Sequence, residues 1–216
     1  MQDAGGSGTV SRFVKIWRRV RWPLGIIVIV YIALVILRIP AVLEQRRTAE
    51  TVDRIHAQRL TLENVDGKHL PPPPDPAQVD ATIEGVDANA NGIRDDVELA
   101  IFEKYPSSPY TRAAELQYAM ALQMYLTEVF NSETWVAVAI RSGKGYGCLY
   151  DTVPRVKLSD SDEVIQQTFE IVQKRIDETE NLVFNTSKRK HVYDEVNRKF
   201  TTSFGGSADK SCDLSL

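Results

Sequence analysis

The most extended apolar run in the chain lies near its amino terminus. From Leu24 to Leu37 the sequence reads LGIIVIVYIALVIL, with Trp17 and Trp22 before it and Arg38 after it. Tryptophans suit a membrane interface, and an arginine side chain can extend toward the headgroups, so the apolar segment approaches the roughly 20 residues that span a bilayer. The pattern predicts a transmembrane signal anchor over residues 23–43.

A cleavable signal peptide is the alternative, because its apolar region is typically about 7 to 15 residues long. The stretch after the run, RIPAVLEQ, lacks a small-x-small cleavage site, and the segment before it is long for the basic region of a signal. We therefore favour an uncleaved anchor that contacts membrane lipid.

A charged segment and a proline-rich one follow the anchor. Residues 44–62 are charged, with apolar residues spaced loosely as in a helix, and predict a stalk that continues the membrane helix. The sequence PPPPDP at 71–76 must be extended, because each proline disfavours the helical region for its predecessor. We expect a stalk and linker over 44–76, although PPPP is also a pattern of ligands for aromatic grooves.

The remainder of the chain has helical periodicity. Residues 131–140 fit either a short strand or a buried helix, and we favour the helix. The glycines of GKGYG, residues 143–147, predict a mobile loop, since they lack the full spacing of a phosphate-binding loop. The fold class predicted is mainly α, with an N-terminal single transmembrane helix followed by a small helical extracytoplasmic domain over 77–216. Apolar spacing predicts its other helices over 97–105, 113–130, 160–184 and 188–200.

Composition and charge narrow the possible partners. The chain has 216 residues, 43% of them apolar, which is enough for a folded core. Residues 1–22 form a basic tail, whereas 28 acidic and 20 basic residues follow from Ile39 onward. An acidic surface is a poor match for nucleic acid, so we expect no nucleic-acid partner. The basic residues of the tail are Arg12, Lys15, Arg18, Arg19 and Arg21.

One segment of the chain fits the sequence pattern of a metal-binding loop. Residues 87–98 read DANANGIRDDVE and fill every position of the calcium-loop pattern D-x-[DN]-x-[DN]-G-x5-E. Calcium binds six to eight oxygens, and alternate residues of such a loop direct their oxygens toward one point around a sharply turning glycine. The pattern predicts calcium ligands at Asp87, Asn89 and Asn91, at the carbonyl of Ile93, and at Asp95 and Glu98.

The alternative interpretation of this segment is an Asx-rich turn followed by a helix, with Asp95 and Glu98 as a capping pair. A turn and a cap do not require an acid or an amide at five positions around one glycine. We therefore favour calcium as the cofactor.

Residues 83–106, IEGVDANANGIRDDVELAIFEKYP, resemble the calcium-loop-plus-helix element of bacterial envelope proteins, in the class of EF-hand-like, dockerin and thrombospondin type 3 loops. The resemblance implies metal binding by the six residues named above. Arg94 departs from the aliphatic residue usual in paired EF-hands, and Gly85 leaves little room for an entering helix. A single half-hand is expected.

Cys148 and Cys212 are the two cysteines of the chain. Their spacing fits neither a CxxC redox motif nor a zinc site, so we favour a structural disulfide over two free thiols. Such a bridge would tie the polar end of the chain to the domain. A disulfide also indicates an oxidising compartment.

The charges flanking the anchor nearly balance, and other features decide its orientation. The cysteine pair and a calcium loop both suit an extracytoplasmic domain. We expect a single-pass inner-membrane protein with a cytoplasmic amino terminus and a periplasmic carboxy-terminal domain.

Functional motifs of enzymes are scarce. Histidines occur at 56, 69 and 191, outside any metal-ligand spacing, and neither a G-x-S-x-G elbow nor a P-loop occurs. We favour a structural or interaction protein, with a protein partner that the sequence does not identify, over an enzyme. The alternatives are an envelope hydrolase or transferase with calcium as structural support, and a secreted, signal-cleaved binding protein.

Overall fold

A computed structural model describes residues 7–157, 159–205 and 210–214, and in 7–20 it describes the side chain of Trp17 only. Over this part of the chain the structure has eight helices and no strand, which confirms the mainly α fold. The start of the predicted basic tail, residues 1–6, and its side chains before Arg21 lie outside the described residues. The helices are α1 Ser7–Ala57, α2 Leu62–Val65, α3 Pro76–Val79, α4 Asp95–Lys104, α5 Pro109–Thr127, α6 Ser132–Asp151, α7 Asp162–Val183 and α8 Ser187–Phe200.

The chain divides into two compact units, Met1–Arg47 and Thr48–Leu216. The first unit consists of most of α1, which continues through Pro23 and Pro40 without a break. From Arg21–Ala57 this helix is long and apolar enough to cross a membrane, and its most apolar part is not buried by protein. The predicted anchor therefore lies within one continuous helix.

The second unit is built around α5. Every residue from Arg112 to Leu126 is buried, and α5 packs against α2, α4, α6, α7 and α8. Most of the helix predicted over 113–130 thus lies in α5, the main core element. Within the predicted stalk, Thr48, Thr51 and Ile55 are buried, because the second unit begins at Thr48.

Side-chain caps explain where the long helices begin. Ser108, Ser161 and Thr186 accept hydrogen bonds from the backbone N–H three residues later, and Pro109 occupies the first position of α5. Asn131 and Thr134 form a reciprocal capping box at the start of α6. This box makes residues 131–140 helical, which confirms the helix in preference to a strand.

The prediction of a mobile loop at residues 143–147 is wrong, because these residues lie inside α6. A Cβ atom at Gly145 would come within 2.9 Å of the Tyr118 Cα on α5, and one at Gly147 within 2.7 Å of the Ser211 Oγ. Two of these glycines thus permit close packing against α6. Close approach of the Tyr118 backbone at Gly145 and of the Ser211 side chain at Gly147, and not loop flexibility, explains these two glycines.

Candidate metal centre

The segment 87–98 folds as a turn that leads directly into α4. The Asp87 carboxylate accepts hydrogen bonds from the Asn91 N–H at 3.1 Å and the Gly92 N–H at 2.8 Å. Gly92 has φ of 85° and Ala90 has φ of 54°, both in the left-handed region. Glycine adopts this region readily, whereas alanine does so at a cost, so the loop holds a strained backbone at one position.

Two amides of the loop converge on one carboxylate oxygen. Asn89 Nδ2 and Asn91 Nδ2 donate to Glu98 Oε2 at 3.1 and 2.9 Å. Both oxygens of Asp95 accept from the Ala88 N–H, at 3.0 and 3.2 Å. The structure therefore brings the side chains of Asn89, Asn91 and Glu98 into direct contact and binds the other two acids to the loop backbone.

Asp95 and Glu98 are buried, with exposed fractions of 0% and 1%. Burial raises the pKa of Asp95, and the charges of Asp87 and Asp96 raise it further, while the Ala88 N–H opposes the shift. Burial is also the main cause of the raised pKa of Glu98; the Asn89 and Asn91 amides oppose it, and the nearby acids add to it. In both residues the protein environment disfavours the charged form.

Asp95 and Glu98 do not cap α4, so the alternative interpretation of these residues as a helix-capping pair is wrong. The residue at the N-cap of α4 is Arg94, and its side chain makes no capping bond. The Asp95 side chain instead contacts Ala88 across the loop. Ile93, of which only the carbonyl was predicted as a ligand, places its side chain in the hydrophobic core.

Arg94 holds the loop against the carboxyl end of α7. Its guanidinium pairs with both oxygens of Asp96 and donates to the carbonyls of Leu182 at 2.9 Å and Val183 at 3.1 Å. A Cβ at Gly85, where φ is 71°, would lie 2.2 Å from the Arg94 Cδ. The departure from the usual loop pattern at position 94 is therefore a tertiary contact.

Two glutamines that the sequence does not single out contact the loop or the segment just before it. Gln58 Nε2 donates to the Asn91 carbonyl at 3.3 Å, and its amide lies over Gly92, where a Cβ would be 1.7 Å from it. Gln123 of α5 donates to the Glu84 carbonyl at 2.9 Å. No local signal marks these glutamines, since their partners lie 33 and 39 residues away.

A cleft of about 210 Å³ lies beside the loop and includes Gln58, Glu84, Asp87, Gln123 and Glu128 in its lining. The two loop carboxyls with raised pKa values, those of Asp95 and Glu98, do not line this cleft. The arrangement that would favour a hydrolase, two such carboxyls in one pocket, is therefore not found at this cleft.

Across the described residues, no three His, Cys, Asp or Glu side chains form a group that could hold a metal ion by themselves. The loop instead combines acids with amides, and the predicted donors are all oxygen atoms. An oxygen-only set fits the chemistry of calcium, which prefers carboxylate and carbonyl ligands. The residues that could hold the ion are those predicted: Asp87, Asn89, Asn91, Ile93 through its carbonyl, Asp95 and Glu98.

Cys148 and Cys212 form a disulfide with a Cα to Cα distance of 4.8 Å, which confirms the predicted bridge. It closes a sequence separation of 64 residues and joins α6 to the last described segment of the chain. No protein-family model, curated protein or solved structure matches the chain.

Proposed function

We propose that the protein is a membrane-anchored envelope protein of structural or interaction type, whose calcium-binding loop stabilises its helical domain. The anchor is the apolar part of α1, and the second compact unit is the domain. The amino terminus lies in the cytoplasm and the domain in the periplasm.

The observation that carries the proposal is the buried charge of the loop. Glu98 is 1% exposed, and its two hydrogen-bond donors are neutral amides. Asp95, which is 0% exposed, and the half-buried Asp87 likewise accept from backbone N–H groups, and none of the three forms a salt bridge with any described residue. Buried carboxylates without a cation are costly, and a bound calcium ion would compensate them.

Contacts of the loop indicate what the ion would stabilise. Arg94 connects the loop to α7, and Gln58, just after α1, binds the Asn91 carbonyl of the loop. Gln123 of α5 binds the Glu84 carbonyl, three residues before the loop. An ion held by the loop would fix the positions from which the first two bonds are made. Calcium would therefore stabilise the packing of the loop against α7 and the end of α1.

The disulfide and the anchor together support the proposed compartment. A disulfide is typical of an oxidising compartment, and a helix suited to a membrane precedes the domain by sequence. Calcium at the concentrations that a loop with three acids needs, about 10⁻⁴ to 10⁻³ M, is also extracytoplasmic. These features support the periplasmic side.

Thermal unfolding of the full chain in detergent tests the proposal. At 10 mM calcium and a Kd in that range, calcium should add about 1.4 to 2.7 kcal/mol to the free energy of unfolding, whereas equal magnesium should add little. Glu98→Gln should abolish the calcium effect. Without calcium this variant should be at least as stable as the wild type, because it removes a buried charge and keeps an acceptor for the two amides.

The matched control is Glu195→Gln, which removes an exposed acid on α8 and should leave the calcium effect intact. Equal melting of the wild type in calcium and in chelator would refute the metal site. Isothermal titration calorimetry of the wild type and both variants provides the affinity directly.

A further inference from the structure

Asp213, near the end of the chain, has a side chain that is only 2% exposed. Arg141 binds it through two bonds, NH1 to Oδ1 at 3.0 Å and NH2 to Oδ2 at 2.8 Å. Arg59 donates to Oδ1 at 2.9 Å and the Leu60 N–H to Oδ2 at 3.1 Å. Four donors from two separate parts of the chain thus enclose one carboxylate.

Gln117 binds the backbone on both sides of Cys212. Its Nε2 donates to the Ser211 carbonyl, and its Oε1 accepts from the Asp213 N–H, both at 2.7 Å. A glutamine amide that pairs with the N–H and the C=O of a peptide binds it regardless of side chain. The four donors around the Asp213 carboxylate then select an acidic residue at the position that follows Cys212.

Two of the residues that bind the carboxy-terminal tail, residues 211–213, lie on packed helices. Gln117 belongs to α5 and Arg141 to α6, two helices that pack closely where Gly145 meets Tyr118. Arg141 is 2% exposed, and its Nε has no hydrogen-bond partner in the described part of the chain. A buried guanidinium positioned by helix packing would still require an anion if Asp213 left.

The Cys148–Cys212 disulfide is the covalent tether of this ligand, one residue from Asp213. This bridge adds to the tether that the backbone from α8 provides, so it raises the effective concentration of the tail and disfavours entry of a competing peptide while it is intact. Cys212 is partly exposed, whereas Cys148 is 2% exposed. A thiolate would therefore attack the Cys212 sulfur.

We propose that Arg59, the Leu60 N–H, Gln117 and Arg141 form a receptor for an aspartate-containing peptide, with Asp213 as its resident ligand. The disulfide controls exchange of that ligand, and reduction opens the receptor to a peptide in trans. The tail of a second copy of this chain is the segment for which the receptor is already shaped. This inference is independent of the calcium loop.

Opening requires two electrons from a dithiol reductant. One thiolate of the dithiol attacks the Cys212 sulfur, and Cys148 leaves as a thiolate that takes up a proton. The second thiolate of the dithiol then attacks the dithiol's other sulfur, which is bonded to Cys212 in the mixed disulfide. This step forms the oxidised dithiol and releases Cys212 as a thiolate, which takes up a proton. The products are two cysteine thiols and an oxidised dithiol.

Fluorescence anisotropy on the full chain in detergent tests the receptor. The probe is a labelled peptide of residues 207–216 that carries Cys212→Ser, and its control carries Asp213→Asn in addition. We expect the first peptide to bind dithiothreitol-reduced protein at least tenfold more tightly than oxidised protein. The Asp213→Asn peptide should bind reduced protein at least tenfold more weakly than the first.

Two protein variants complete the test. Cys148→Ser with Cys212→Ser in the full chain should bind the peptide without reductant, whereas Arg141→Gln should abolish binding to reduced protein. Arg155→Gln, at a side chain that is 89% exposed, should not affect binding. Equal binding of the two peptides, equal binding to oxidised and reduced protein, or loss of helical circular dichroism on reduction would each overturn the proposal.

Discussion

Arg94 is a cation inside an acidic loop, and its polar atoms all contact protein. Asp96 takes two of its hydrogen bonds, and the last carbonyls of α7 take the others. Its side chain is 0% exposed. Carbonyls at a helix carboxyl end lack partners within the helix, so a guanidinium there satisfies groups that would otherwise be buried unpaired.

Arg94→Lys should therefore destabilise the domain although it keeps the charge. An ammonium cannot bind Asp96 with two parallel bonds and also reach both carbonyls of α7. We expect a loss of about 2 to 4 kcal/mol in the free energy of unfolding, measured by urea denaturation.

Arg155→Lys is the control for this variant, because that side chain is 89% exposed and pairs with Asp151 at 3.6 Å on the surface. It should change the free energy of unfolding by less than about 0.5 kcal/mol. Similar losses in the two variants would mean that the contacts of Arg94 with α7 contribute little.

At the residue scale, the sequence identifies the candidate ligands of the loop but not the contacts that hold the loop in place. Acids and amides at alternate positions of 87–98 form a local pattern, so the spacing alone identifies the candidate ligands. Arg94 stands out as an exception to the pattern, but its carbonyl partner at Leu182 lies 88 residues away. Chain folding, and not spacing, determines such a contact.

Helices α5 and α6 show how closely two elements of this fold approach each other. A Cβ added at Gly145 would lie 2.9 Å from the Tyr118 Cα and 3.2 Å from its backbone nitrogen. Backbone atoms cannot move away as a flexible side chain end can. The position requires a residue without a side chain.

Gly145→Ala should thus separate the two helices and lower the free energy of unfolding by about 1 to 3 kcal/mol. Gly143→Ala, two residues earlier in α6, is the matched control, because a Cβ there has nothing within 4 Å. The control should raise stability by about 0.5 to 1 kcal/mol, since alanine loses less backbone entropy in a helix. Thermal melts followed by circular dichroism separate the two outcomes, and equal shifts would contradict the close approach.

Periodicity predicted most of the helices but failed at this glycine cluster. Glycine lowers helix propensity, so three glycines in five residues favour a loop when only local preference is considered. Tertiary packing outweighs that preference here, because α6 buries Trp135, Val138 and Leu149 against the core. The hydrophobic spacing before residue 143 continues after it, and this was the signal for a longer helix.

At the scale of the whole second unit, the carboxy-terminal tail, residues 211–213, joins α5, α6 and the segment after α1. Burial opposes ionisation of Asp213, but bonds and charge from Arg141, with the Leu60 N–H and Arg59, outweigh it and hold the Asp213 pKa below its usual value of 3.8. A lowered carboxyl pKa adds stability above the unfolded value, and that stability is lost as pH falls through the folded value.

Asp213→Asn should therefore reduce the free energy of unfolding by about 3 kcal/mol near pH 7, because Arg141 loses its counter-ion. The difference between wild type and variant should shrink as pH falls from about 4 through the lower folded pKa, because the carboxyl takes up its proton in the unfolded chain before it does so in the folded one. Urea denaturation of both chains across pH 3 to 7 measures it. Asp194→Asn, at an exposed residue, should show no such trend, and a difference that stays constant with pH would contradict the role of the charge.

The sequence predicted the disulfide and the general class of fold but not how the tail is held. A pair of cysteines in a chain with no other cysteine is a strong signal, whereas Asp213 resembles any polar residue of a terminal segment. Its partners at Arg59 and Arg141 lie 154 and 72 residues away. Helix α1 extends beyond both ends of the predicted anchor, from Ser7 to Ala57, and the prolines at 23 and 40 do not break it.

Gly85 and Arg94 depend on each other, because a side chain at 85 and the Arg94 side chain would need the same space. Any side chain at 85 would occupy the space of the arginine stem, so a mutation there is harmful while the arginine remains. Replacing the arginine first leaves the end of α7 unsatisfied. Neither substitution is easily tolerated alone. We therefore expect related proteins to keep both residues or to replace both together.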